Sequence, residues 1–418
     1  MRLCIFEDDE FFKFEPLCFS RPVFDLKVGA STIREKIASI LNFDSYSVLC
    51  RDYLKDSIDY NNSQILINQF FDDDYIFVNG RIIPELEINS LLSENYPADS
   101  ILKNGDVIIA AFISKENVRK FFIDKNPVFE REVFDNLNSS ESQLKYFTYI
   151  WELIYQNEKF INQDFERFNS DISKKRSDKS VTNYHLINNQ RIYISDSAEI
   201  GFGVVLDARN GAIIIDENAS VMHNSVIYGP CYIGKNAMVK SNSTIYEGTS
   251  VGDFCKVAGE ISHSILMDYS NKQHDGFLGH SYLGSWVNLG AGTITSNLKN
   301  NYSKIQVELS FGKVVTNLQF LGLLAGDHSK SAIGTTFNTS TVIGFSSNIF
   351  GSGFPQKFIP SFAWGSIDSK VVYQPEKAIE VAKIVYSRRN KEFKETDYNL
   401  FLSIFNDTVS IREKYGYK

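Results

Sequence analysis

The residues best able to do chemistry are concentrated in S-N-K-Q-H-D-G-F-L-G-H-S-Y-L-G-S-W-V-N-L-G-A-G-T-I-T-S-N, from Ser270 to Asn297. Two histidines, His274 and His280, stand six residues apart within it. A histidine facing a groove can serve as general base. Acyl transfer to an amine or hydroxyl needs one, because the nucleophile must lose a proton as it attacks a thioester. Gly290, Ala291, Gly292 and Thr293 are small enough for an extended cofactor to lie close against the backbone. Their amides could donate to a pantetheine arm or to a developing oxyanion. The remaining histidines, His185, His223, His263 and His328, have no ligand spacing and suggest no metal.

The element that must position this segment is legible just upstream. Ile215, Val221, Ile227, Ile233, Val239, Ile245, Val251 and Val257 return at every sixth residue. That period belongs to a parallel β-helix of hexapeptides, each repeat one short strand and one turn. Such a coil cannot bury its own apolar row, so stacked neighbours make the core. Hexapeptide solenoids are often acyltransferases. The pattern begins at Ile194, Ile200 and Leu206 and breaks at Arg209-Asn210-Gly211. A second irregularity between Ile265 and Asp275 reads as a loop leaving the coil. The repeat resumes at Leu283 and Leu289, weakens over 300–319 and returns at Ile343 and Ile349. Pro355 to Trp364 closes it. Two amphipathic helices, one past Pro375 and one within Tyr398 to Tyr415, are expected to cap or flank the end.

The preceding part reads as α/β. Leu3–Phe6, Ser47–Cys50, Tyr75–Val78 and Val107–Phe112 are of strand length, with a helix over Ser31–Leu41. This alternation favours a mostly parallel sheet. A helical period covers Tyr146 to Phe160, and the polar stretch Asn162 to Asn183, with Lys174-Lys175-Arg176, reads as a solvated linker. At 418 residues and net charge -8, the chain has room for two or three domains and no electrostatic footprint for nucleic acid. No apolar run approaches the roughly 20 residues needed to span a bilayer. No secretory leader is visible, and the five scattered cysteines read as reduced thiols of a cytoplasmic protein.

The segment resembles the acetyltransferase half of the bifunctional N-acetylglucosamine-1-phosphate uridyltransferase/glucosamine-1-phosphate acetyltransferase family. The family motif is H-x-x-Y-L-G followed by V-N-I-G-A-G-T-I-T-x-N. Aligned without gaps, His274 falls on the family's catalytic histidine, Leu278-Gly279 on its L-G and Asn288 on its asparagine. Ala291 and Asn297 fall on positions that the family uses beside acetyl-CoA. Phe277 stands where the family has tyrosine, and Ser262 stands near its sugar-phosphate lysine. Lys272 or Lys299 would then have to contact the sugar phosphate, with Phe277 and His280 nearby. The likeness is strongest over Ile192 to Val307. S-N-K-x-H-D-G-F-L-G-H-S-Y and F-G-S-G-F-P-x-K-F-I-P-S-F suggest an alternative bacterial branch.

The resemblance implies a nucleotidyltransferase-like, Rossmann-like α/β domain (1–160), a linker (161–190), a left-handed β-helix acyltransferase domain (191–370) and a C-terminal helical segment (371–418). It further implies acetyl-CoA as co-substrate, an amino-sugar phosphate acceptor, a UDP-sugar product, Mg²⁺ if the first domain is active, and a homotrimer. The family's glycine-rich phosphate loop is replaced by Glu7-Asp8-Asp9-Glu10, a poor phosphate surface that reads as a solvated loop. Arg21, within Ser20-Arg21-Pro22, is the candidate for the missing cation. Asn79-Gly80-Arg81 stands where the family has its metal-binding G-D, making Asn79 and Gly80 nucleotide-binding candidates. Three other readings stay open: an acyltransferase whose first domain only binds a sugar nucleotide, a nucleotidyltransferase whose solenoid is a trimerisation scaffold, and a non-catalytic sugar-binding protein.

Overall fold

The computed structural model describes all residues except 61–63, 124–132, 135–136, 171–182 and 366–369. A seven-stranded sheet forms the first part, in the spatial order Ile65–Ile67, Tyr46–Leu49, Arg2–Phe6, Tyr75–Asn79, Val107–Ile113, Ser100–Asn104 and Asn138–Glu141. The first four strands are parallel, and Val107–Ile113 runs against Tyr75–Asn79. Both sheet faces are covered, which is why these strands are nearly continuous apolar runs. Leu3, Ile5, Ile76 and Val78 point into one cluster, while Cys4, Phe6, Tyr75 and Phe77 point into another.

The helix Ile33–Ile40 makes the first crossover. It starts at Thr32, whose hydroxyl accepts the Glu35 amide while the Glu35 carboxylate accepts the Thr32 amide. From Arg2–Phe6 the chain moves outward to Tyr46–Leu49 and Ile65–Ile67, then returns to the other side of Arg2–Phe6. Open α/β sheets bind ligands at the carboxyl ends of their strands where the order reverses in this way.

The six-residue series becomes a parallel β-helix with three sheets. One sheet stacks Ile192–Ile194, Ile213–Ile215, Cys231–Ile233, Thr249–Val251, Ile265–Leu266 and Tyr282–Leu283. Its inward residues, including Ile215, Ile233 and Val251, are fully buried. The corners need left-handed backbone, and asparagine supplies it at Asn218, Asn224, Asn236 and Asn242.

Two features depart from the sequence expectation. Residues 265–275 do not leave the coil, since Ile265–Leu266 and Asn271–Lys272 pair in register with the coil before them. The excursion lies later, at 298–320, where Gln306–Leu309 and Gly312–Val315 form an antiparallel hairpin before Tyr282–Leu283 pairs with Leu324–Ala325. The helix Ile150–Ser170 also runs well into the stretch expected to be linker. Its apolar face buries Ile161, Phe165 and Phe168 against Tyr193, Ile214 and Tyr232 of the solenoid, which a solvated linker would not do. Lys174, Lys175 and Arg176 lie outside the described residues.

The first sheet's loops are locked to the same solenoid side. Tyr282 donates from its hydroxyl to the Lys27 carbonyl at 2.8 Å. Lys27 pairs with Asp268, and Asn157 bridges the Gly29 amide to the Gly248 carbonyl. The C-terminal helices Pro375–Ser387, Glu395–Asp407 and Val409–Lys414 complete this core with Ala378, Ile379, Ala382, Phe401 and Ile404, whereas Ile384 faces solvent. Among the described residues no helix is long and apolar enough to cross a membrane.

Candidate functional site

The solenoid strand Asn271–Lys272 runs into the corner His274-Asp275-Gly276 and out along Phe277–Gly279. Gly276 has φ +113°, and a Cβ there would stand 2.2 Å from the Thr293 carbonyl oxygen, so only glycine closes this turn. The corner therefore sits directly over the next one, Gly290 to Thr293. His274 is exposed at its tip.

On the lower corner, the Gly290 amide donates to Ser331, so it is not free to meet an oxyanion. A Cβ on Gly290 would also stand 2.6 Å from Ala332, and Gly292 has φ +70°. Both glycines serve the coil itself. The amides of Ala291 and Gly292 have no acceptor among the described residues. Asn288 is half-buried and pairs with Asn271 above and Lys330 below, in a column that continues through Lys256 and Asn348. Phe277 folds its ring over Gly279, where a Cβ would meet the ring at 2.5 Å.

Other expected contacts are spent internally. Lys272 is 1% exposed and points into the coil, so no substrate reaches its ammonium. Lys299 donates to the Lys304 carbonyl at 2.7 Å within the excursion.

His280 belongs to a stacked column. Its ring lies 4.6 Å from that of His263, nearly parallel, and 5.2 Å from that of Phe320. Asn297 contacts His280 Nδ1 at 3.0 Å, and His263 Nε2 contacts Glu158 of the long helix at 2.9 Å. His280 and Asn297 thus hold one another, rather than standing open to sugar and cofactor.

Burial, with the neighbouring His263, pushes the His280 imidazolium down to about 4 from an ordinary 6.5. Between those values the unfolded chain binds the proton and the folded one does not, so this histidine's contribution to stability is lost as pH falls from about 6.5 toward 4. His280→Phe is expected to flatten the decline of the thermal unfolding midpoint across that window. A variant that declines as steeply as the parent would refute this assignment.

In the first domain, Asp8, Asp9, Glu10, Lys13, Arg81, Asp106, Val107 and Ile108 line a cavity of about 260 Å³. It lies at the carboxyl ends of Arg2–Phe6 and Tyr75–Asn79, where the strand order reverses. Asp8 is not part of a solvated loop. Its carboxylate is buried, accepts Arg81 Nε at 2.9 Å and accepts Asn79 Nδ2 at 2.8 Å. Asn79 is fully buried and also donates to the Ile108 carbonyl, and Gly80 leaves room for the Phe24 ring, so neither expected nucleotide-binding residue lines the cavity. Glu7 is likewise buried, against Arg51 at 2.8 Å. Arg21 does not line the cavity. It pairs with Asp327 of the solenoid and approaches Ser285, so it ties the two parts together.

The sugar nucleotidyl transferase family matches residues 3–173, and the bacterial transferase hexapeptide family, as six repeats, matches residues 212–247. The bifunctional protein GlmU of Methanococcus maripaludis (strain S2) is 28% identical over 348 residues, covering 75% of this chain and 82% of that protein. The bifunctional sugar-1-phosphate nucleotidylyltransferase/acetyltransferase of Sulfurisphaera tokodaii is 27% identical over 142 residues, 34% of this chain and 35% of that one.

This chain joins a sugar nucleotidyltransferase domain to a hexapeptide repeat. It is a transferase. Among solved structures, the UDP-N-acetylglucosamine acyltransferase of Francisella novicida is similar at 12% identity and TM-score 0.26, covering 54% of this chain and 91% of that one.

Within this two-part transferase, the sequence reading overlooked Lys13, Arg81 and Asp106 in the cleft. Arg81 follows directly on Asn79-Gly80, but its distance from Asp8 in sequence hid their pairing. Nothing local marks Lys13 or Asp106.

Proposed function

We propose that the chain acetylates the amine of an amino-sugar 1-phosphate, with glucosamine 1-phosphate the leading acceptor, from acetyl-CoA at the His274 corner. The first domain then transfers a nucleotidyl group to the product, giving a UDP-sugar. The observation that carries the acyl-transfer reading is the stacking of two turns, with His274 exposed on one and, on the next, the amides of Ala291 and Gly292 without an acceptor among the described residues. His274 accepts the proton lost by the amine as nitrogen bonds to the acyl carbon. The Ala291 and Gly292 amides receive the negative charge that develops on the acyl oxygen. The carbon–sulfur bond then breaks, and the proton passes to the departing thiolate. Asn288 supports the same tetrahedral intermediate, and the Phe277 ring packs against the sugar. The solenoid acts as a homotrimer in the cytoplasm, with an adjoining subunit closing the groove.

In the first domain Asp9 and Asp106 would hold Mg²⁺, which needs only one or two carboxylates when substrate phosphates supply further oxygens. The ion would offset phosphate charge that the acidic cleft alone repels. Lys13 faces the same cavity and would meet a phosphate directly.

The test uses the full chain with acetyl-CoA and a panel of amino-sugar 1-phosphates, following free thiol. UTP and Mg²⁺ with N-acetylglucosamine 1-phosphate, following pyrophosphate, test the second step. Failure of every acceptor in the panel to give thiol release would refute acyl transfer. A second reading, in which the first domain binds a sugar nucleotide without turning it over, is favoured by the commitment of Asp8 to Arg81. Pyrophosphate release decides against it.

A further inference from the structure

Lys272 occupies a position built for an aliphatic side chain. In coil register Val221 stacks on Val239, Val239 on Val257, and Val257 on Lys272. The three valines are inward and buried, and Lys272 follows them into the interior at 1% exposure. An ammonium in such surroundings is disfavoured unless its donors are satisfied. Three carbonyls satisfy it: Ala258 at 3.0 Å, His274 at 2.8 Å and Asp275 at 3.3 Å. Burial still lowers its pKa to about 8, with Asp275 opposing.

Two of those carbonyls belong to the turn that carries His274. The third belongs to the corner above it, where Gly259 lies so close to Gly276 that a Cβ would meet the Gly276 carbonyl at 2.8 Å. The lysine therefore reaches from the core into the turn and ties it to the preceding coil. An apolar residue at this position would fill the same core space and leave all three carbonyls without this donor.

We propose that Lys272 is a positioning residue, which fixes the backbone of the His274-Asp275 turn from inside the solenoid and so holds the imidazole where it accepts the proton. This rests on the reading of His274 as the base. Lys272 itself touches no substrate.

The experiment compares full-length Lys272→Met and Lys272→Gln with the parent and with His274→Ala. Acetyl-CoA and glucosamine 1-phosphate are the substrates, and amide hydrogen exchange is followed over 272–278. Met fills the core without donating, and Gln restores donors without the charge. For Lys272→Met, kcat is expected to fall roughly ten- to hundredfold, the scale of a small misplacement of a catalytic group. KM for acetyl-CoA should stay within about twofold, exchange should rise only in the turn, and the unfolding midpoint should not fall. Lys272→Gln is expected to lie between Met and parent in both kcat and turn exchange.

Parental kcat in Lys272→Met overturns the proposal, as does a Gln variant no better than Met or exchange that rises throughout the solenoid. Activity that survives His274→Ala instead removes the base assignment and, with it, the catalytic part of the proposal. Turn exchange still reports whether Lys272 fixes this backbone.

Discussion

Replacing His274 with alanine is expected to lower acetyl transfer by roughly 10²- to 10⁴-fold, the usual contribution of a positioned general base. The loss should appear in kcat and in kcat/KM alike, because the side chain acts when the proton moves rather than when substrates bind. The turn itself should survive. Its shape depends on Gly276 and on the Lys272 contacts, all made through backbone, so the alanine variant keeps the carbonyls that accept the ammonium. Pyrophosphate release at the first domain should be unchanged, since that cleft is lined by residues of 8–13, 81 and 106–108. Thiol release and pyrophosphate release measured on the same preparation check both halves. Undiminished thiol release in His274→Ala would sink the base assignment.

The second large effect concerns stability. Arg81 is 1% exposed, and its guanidinium meets Asp8 while Nη1 donates to the Phe147 carbonyl at 2.9 Å. Arg81→Met leaves the Asp8 carboxylate buried with Asn79 as its remaining side-chain donor. Breaking a buried pair on one side costs about 3–5 kcal/mol, more than most single substitutions. The unfolding transition of the first domain, followed through Trp151 fluorescence in urea, should move to clearly lower denaturant. Arg81→Met with Asp8→Leu should recover much of the loss, because removing both charges leaves neither one unpaired. A double variant as unstable as the single would show that packing of the arginine stem, rather than charge, sets the effect.

How much of this was legible from the chain depended on the range of the interaction. The strands at Arg2–Phe6, Tyr46–Leu49, Tyr75–Asn79 and Val107–Ile113 and the helix after Thr32 were readable, because hydrophobic runs and a capping box are local signals. The solenoid was readable for the same reason, as each inward residue from Ile215 to Val257 repeats the same demand. The linker was misjudged because the polar face of the helix Ile150–Ser170 dominates its end, while Phe165 and Phe168 find their partners Tyr193 and Tyr232 only across the fold. Arg21 resembled a phosphate ligand because a guanidinium does not reveal its partner. That partner, Asp327, comes from a solenoid coil far along the chain.

The sequence alone determined the architecture: six-residue periodicity requires stacked coils, and alternating buried strands require a covered sheet. It also marked the segment Ser270 to Asn297, where chemistry-bearing residues crowd together. Only the tertiary structure decided which of them face outward. Stacking buries Lys272 behind the turn, encloses His280 beside His263 and Asn297, commits the Gly290 amide to Ser331, and leaves His274 exposed above the Ala291 and Gly292 amides. The physical reason is that a repeat specifies inward and outward positions within one coil, whereas the partners of each side chain come from the coils above and below and from the domain docked against them.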